Sequence, residues 1–148
     1  MGDDVYLIDE WLRFANMDLD LAKHSFATMH PAPLEIICYH CQQAAEKFLK
    51  SVFIYFNITV IKTHNLPLLV TTLLDYIDVP SEIDDYAENL TQFSTKSRYP
   101  QAIELDEDQT KNAIAQAEKI KIWAEKIIAE KNDMQSGKED NTIDTTTD

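Results

Sequence analysis

Between Gly2 and Gly137 the chain contains no glycine, and this absence limits its fold more than any residue it does contain. Tight hairpin turns need residues at positive φ, which glycine adopts at least cost, and phosphate-cradling loops need its missing side chain. P-loop and dinucleotide-binding folds are therefore excluded, and a strand-rich fold has almost no turn material. Helices need neither.

The apolar pattern is helical throughout. Ile8, Trp11, Leu12, Ala15, Leu19, Ala22 and Phe26 recur at steps of three and four, the period of one buried face, which turns Asp18, Asp20 and Lys23 elsewhere. Pro31 and Pro33 interrupt, so a second helix starts near Leu34. It carries the stripe Ile37, Cys41, Ala44, Phe48, Val52 and Tyr55, widened by Cys38, Ala45, Leu49 and Phe56. Such a broad apolar surface belongs at the centre of a bundle.

A third helix follows, with Asn65 as its cap, Pro67 in its first turn and Leu66, Leu69, Val70, Leu73, Leu74 and Ile77 as its face. Pro80 closes that segment, and Ser81 is placed to cap a fourth helix bearing Ile83, Tyr86, Ala87, Leu90 and Phe93. From Ser94 to Asp106 there is no periodicity. Asp106 and Gln109 then read as a reciprocal cap for a last helix through Ala113, Ala117, Ile120, Ala124 and Ile127, flanked by Trp123 and Ile128. The expectation is an all-α fold, a single-domain antiparallel bundle of about five helices over residues 1–131, with 132–148 a disordered acidic and polar tail.

Charge narrows the functions open to this bundle. The net charge is −13; the tail holds five acids and one lysine, a net −4, which leaves −9 on the body. Nucleic-acid affinity rests on neutralising phosphates with Lys and Arg, so only a local basic site could serve a polyanion. No stretch has the roughly 18 consecutive apolar residues of a membrane span, and the start lacks the basic and apolar regions of a signal peptide. With Cys38 and Cys41 three residues apart in one apolar helix, where a bond between them would distort it, the thiols read as reduced and the compartment as cytoplasmic.

Three groups of residues could carry chemistry. Cys38, His40 and Cys41 are zinc-ligand types, but His40 points to the side of the two thiols and no second Cys pair completes a tetrahedron, so neither metal nor cofactor is expected. On the second helix His40, Gln43, Lys47 and Lys50 form a polar stripe with Tyr39, Gln42 and Glu46 beside it; this is a ligand face or a structural hydrogen-bond network. Lys62, Thr63 and His64 precede the third helix, where free N–H groups could hold an anion or the loop could merely cap. Arg98, with Tyr99 and Pro100, suits phosphate, carboxylate or an ordinary ion pair.

The run Tyr39-His40-Cys41-Gln42-Gln43-Ala44-Ala45-Glu46-Lys47-Phe48-Leu49-Lys50, then Lys62-Thr63-His64-Asn65-Leu66, then Arg98-Tyr99-Pro100 resembles a prokaryotic HEPN domain, from about Trp11 to Ile128. The resemblance implies a helical bundle that typically dimerises, often paired with a small nucleotidyltransferase and sometimes in a toxin–antitoxin pair. The ribonuclease branch of that family carries an Arg followed four to six residues later by a His. Here Arg98 is followed by Tyr99, Pro100, Gln101, Ala102, Ile103 and Glu104, and no histidine occurs after His64.

Without that proton carrier no catalytic residue is assigned. The expected function is a non-catalytic HEPN-type module, a homodimer that binds a nucleotide-like ligand, RNA or a nucleotidyltransferase partner through Tyr39, Gln42, Gln43, Lys47, His64, Arg98 and Tyr99. The alternatives are an atypical metal-independent ribonuclease and a purely structural dimerisation domain.

Overall fold

The structure, a computed structural model, describes the backbone of residues 2–94 and 104–144 and the side chains of residues 7–94 and 104–130. Among the described residues there are five α-helices and one 3₁₀ turn, with no strand: α1 (Gly2–Thr28), α2 (Leu34–Tyr55), α3 (Leu66–Leu74), α4 (Ser81–Leu90), the turn Thr91–Phe93, and α5 (Glu107–Asp144). No described helix is long and apolar enough to cross a membrane.

Helix α2 is the axis of the bundle, packed against α1, α3, α4 and α5. Phe48, Leu49, Val52 and Phe53 are fully buried, and Cys38 and Cys41 are buried on the same helix as free thiols. Burial pushes both thiols above the ordinary range, which makes them inert apolar groups rather than ligands or nucleophiles. Helix α5 approaches α2 through the small side chains Ala113, Ala117 and Ala124, all fully buried, with Ile120 between them. The lower stripe ends on Ile128 rather than Ile127, because Ile128 is the residue four beyond Ala124 and so shares its face. Lys23 pairs with Glu118, and Asn16 donates to Glu125 at 3.1 Å, joining α1 to α5.

The helix ends follow from local chemistry. Asn57, at φ 58°, stands just past α2; its N–H reaches Ile54 O at 3.0 Å and that of Ile58 reaches Phe53 O at 2.9 Å. These are the two bonds of a Schellman ending, with asparagine in the place glycine usually takes. At the start of α5, the Asp106 N–H donates to Gln109 Oε1 at 3.0 Å and the Gln109 N–H to Asp106 Oδ1 at 2.7 Å, the reciprocal cap expected from the sequence.

Two further expectations need correction. Pro80, not Ser81, stands at the N-cap of α4, its carbonyl taking the Ile83 N–H at 3.0 Å, so Ser81 is the first helical residue. Leu74 is 51% exposed: α3 ends there, and Leu73 takes the inward slot. Helix α5 continues beyond Lys131 to Asp144, past the point where the apolar periodicity that packs it stops.

Candidate functional site

The polar stripe of α2 is turned inward and closed on two carboxylates. The first is Glu46, 5% exposed. Its Oε1 accepts from His64 Nδ1 at 2.7 Å and from Gln42 Nε2 at 3.2 Å, and its Oε2 accepts from Lys50 Nζ at 3.2 Å. Gln42, fully buried, also donates to the His64 carbonyl at 3.3 Å, and its Oε1 accepts from Gln43 Nε2 at 2.8 Å. Lys50 is buried too, and its ammonium lies 5.9 Å from the centre of the Trp11 ring. The α2 amides, the loop after α2 and the first helix are thus held together by one buried anion.

The second carboxylate is Asp18 on α1, which the sequence pattern turns away from the packed face. It is only 15% exposed because α2 brings two donors to it: Lys47 bonds its Oδ2, and His40 Nδ1 donates to Oδ1 at 2.9 Å. Burial pushes its pKa up, but the hydrogen bonds from His40 and Lys47, with their charges, outweigh that and hold it below the usual carboxylate value. Tyr39 sets its ring edge-on to His40, centroids 5.5 Å apart.

This pair has a pH signature. A carboxylate with a depressed native pKa contributes stability that is complete above its unfolded value, about 3.9, and is lost as pH falls through the lower native value. Asp18→Asn is expected to cost about 1–3 kcal/mol at neutral pH, since two donors lose their charged acceptor. Urea titrations from pH 2 to 7 should show a constant deficit above about pH 4 that shrinks in stronger acid.

The start of α3 is capped rather than open. The Leu66 N–H goes to Thr91 Oγ1 at 3.1 Å, Pro67 has none, and the Leu68 N–H goes to Asn65 Oδ1 at 3.1 Å. Thr63 Oγ1 in turn accepts from the Asn65 N–H at 3.1 Å. Of the two readings of Lys62, Thr63 and His64, this geometry favours the capping loop, with His64 turned to Glu46.

Gln42, Gln43 and His64 therefore meet around Glu46, Lys47 is held at Asp18 and Tyr39 lies beside His40, whereas Arg98 and Tyr99 lie outside the described residues. His40 is committed to Asp18, and among the described residues no group of three or more His, Cys, Asp or Glu is placed to hold a metal ion.

A second apolar face of α1 escapes the sequence reading. On the outer side of that helix, Leu7, Phe14, Met17 and Leu21 are 44%, 46%, 52% and 48% exposed. Two shallow cavities of about 520 and 310 Å³ flank them, both touching Phe14 and Lys47. The signal is present as a second apolar stripe on the helix, masked by the longer one that faces α2.

Comparison with known proteins agrees with the residue-level resemblance. The HEPN domain pattern matches residues 8–127. Among solved structures, TT1696 from Thermus thermophilus superposes with a TM-score of 0.71 at 25% identity, over 80% of this chain and 96% of its own. ST0689, an archaeal HEPN homologue, gives 0.65 at 23% identity over 82% and 97%. An HEPN domain protein of Thermotoga maritima, tm0613, gives 0.52 at 26% identity over 86% and 98%. No curated protein matches. A pattern that runs from the first buried residue of α1 to the last packed turn of α5 covers the whole bundle, and the chain belongs to the HEPN domain family.

Proposed function

We propose that this chain is a non-catalytic HEPN module of the cytoplasm that dimerises and binds a nucleotidyltransferase partner, as one half of a two-part, toxin–antitoxin-like pair. The observation that carries the reading is a contrast between two faces. The basic side chains of α2 and the histidine of the loop after it are each bonded to a carboxylate: Lys47 and His40 to Asp18, and His64 and Lys50 to Glu46. A phosphate would have to displace a protein anion at each of them, on a body of net charge −9. Along α1 an apolar stripe stands open, the kind of surface that a protein covers. A nucleotide-like ligand ranks second, since it would depend on Arg98 and Tyr99.

The folded unit is proposed to end near residue 131, where the packing stripe of α5 ends. Sedimentation equilibrium tests the reading. The protein alone is expected at twice the 17.0 kDa chain mass, with or without residues 132–148, and in a larger complex when mixed with a small nucleotidyltransferase of the same genome. A monomer that ignores the nucleotidyltransferase would overturn it.

A further inference from the structure

The proposed dimer rests on the reading above, and the outer face of α1 specifies how its two copies meet. Leu7, Glu10, Phe14, Met17, Leu21 and His24 follow one another at steps of three, four, three, four and three. This is the seam of a coiled-coil heptad, and four of its six positions are large apolar side chains about half exposed. The face that α1 turns to α2 is a different one, through Ala15, Leu19 and Ala22, each buried. Helix α1 thus has two apolar faces, and the bundle covers one of them.

The identity of the occupant follows from the flanking charges. Arg13 and Asp20 hold equivalent positions beside the seam, one heptad apart. In a parallel pairing Glu10 would face Glu10 and His24 would face His24. In an antiparallel pairing about a two-fold axis between Phe14 and Met17, Phe14 packs on Met17 of the second copy and Leu7 lies opposite its His24. Leu21 then meets the aliphatic stem of Glu10, whose carboxylate is turned to Arg13 at 2.9 Å. In the single chain the Arg13 guanidinium lies 4.7 Å over the Phe14 ring and 3.7 Å from the Met17 sulfur, paired to Glu10; swung off the seam in the same register, it comes beside Asp20 of the second copy, twice by symmetry.

We infer that a second copy of this chain docks on the outer face of α1, antiparallel, with the Phe14–Met17 pair at the two-fold axis and Arg13 against Asp20 at each side. The seam runs about 25 Å at 1.5 Å per residue. It covers the two cavities and, through Lys47, which lines both, closes over the Asp18–Lys47 pair. An aromatic ring against a thioether is a favourable contact at the axis.

Charge reversal tests the register on the full chain. Asp20→Arg sets guanidinium against guanidinium at both sides and is expected to weaken the dimer about tenfold or more in sedimentation equilibrium, since like charges placed together in an interface are costly. The double variant R13D/D20R restores opposite charges and is expected to recover most of that loss. In an oxidised mixture of F14C and M17C chains the mixed disulfide should exceed either self-pair, and a Tyr76→Cys chain, exposed elsewhere, should not cross-link. A dimer indifferent to Asp20→Arg, or one that the double variant fails to restore, overturns the seam while leaving dimerisation standing. A chain that is monomeric at every concentration overturns both. Unchanged thermal midpoints of the variant monomers exclude misfolding as the cause.

Discussion

Replacing Glu46 by alanine is expected to cost about 3–5 kcal/mol, because it leaves Lys50 as a buried cation with no carboxylate. Glu46 takes hydrogen bonds from three side chains at once, His64, Gln42 and Lys50. Its removal also leaves the Gln42 amide, fully buried, short of an acceptor. What remains near Lys50 is the Trp11 ring at 5.9 Å, and a cation–π contact of that length contributes only about 0.5–2 kcal/mol. Glu46→Gln keeps the shape and should lose less. The double change E46A/K50M removes both charges and should recover much of the loss, since apolar groups often replace a buried pair without penalty. Urea unfolding midpoints of the four proteins check this, and equal losses in E46A and E46A/K50M would show that Lys50 is not the cause.

The second large effect lies on the opposite side of the same helix. Phe48→Ala should lose about 3–5 kcal/mol, the transfer free energy of the ring plus the cavity it leaves. Phe48 is fully buried at the middle of α2, the helix on which α1 and α5 both pack, and a rigidly packed bundle relaxes only partly into such a gap. Phe48→Leu, which keeps most of the volume, should cost less. Thermal or urea unfolding measures both, and a loss below about 1 kcal/mol for Phe48→Ala would place the core elsewhere.

Helix α2 shows why part of this molecule can be read in advance and part cannot. Its apolar stripe is periodic, and periodicity is a local property, so the element, its start at Leu34 and its central place all follow from the sequence. The reciprocal cap of Asp106 and Gln109 is local in the same sense. The direction of the polar stripe is not: whether Lys47 faces water or Asp18 depends on the rotation of α1 against α2, which is set by packing over the whole bundle. The local pattern misplaces Asp18 for that reason, and it sets Glu46 only beside the candidate residues although Glu46 is their hub. It also puts Leu74 in the core, because the apolar run continues one residue beyond the point where the inward face of α3 stops. The outer stripe of α1 is missed when one helix is credited with one apolar face.

These particulars bear on function through a single contrast. A sequence carrying Gln42, Gln43, Lys47 and His64 along one region suggests a ligand site, whereas the fold turns those groups toward Asp18, Glu46 and one another. What it leaves open is the apolar side of α1. That contrast is what supports the proposed reading, in which the module acts through a protein partner rather than a nucleotide.

The most direct test is thermal unfolding of the intact protein with and without saturating ATP, GTP and short single-stranded RNA, beside the same measurement with the nucleotidyltransferase. A ligand that binds only the folded state adds about 2.7 kcal/mol at a hundredfold excess over its dissociation constant, a shift well above error. The account predicts a raised midpoint with the protein partner and none with the nucleotides or the RNA. A raised midpoint with a nucleotide that is lost in Lys47→Ala, and no response to the protein partner, would contradict it.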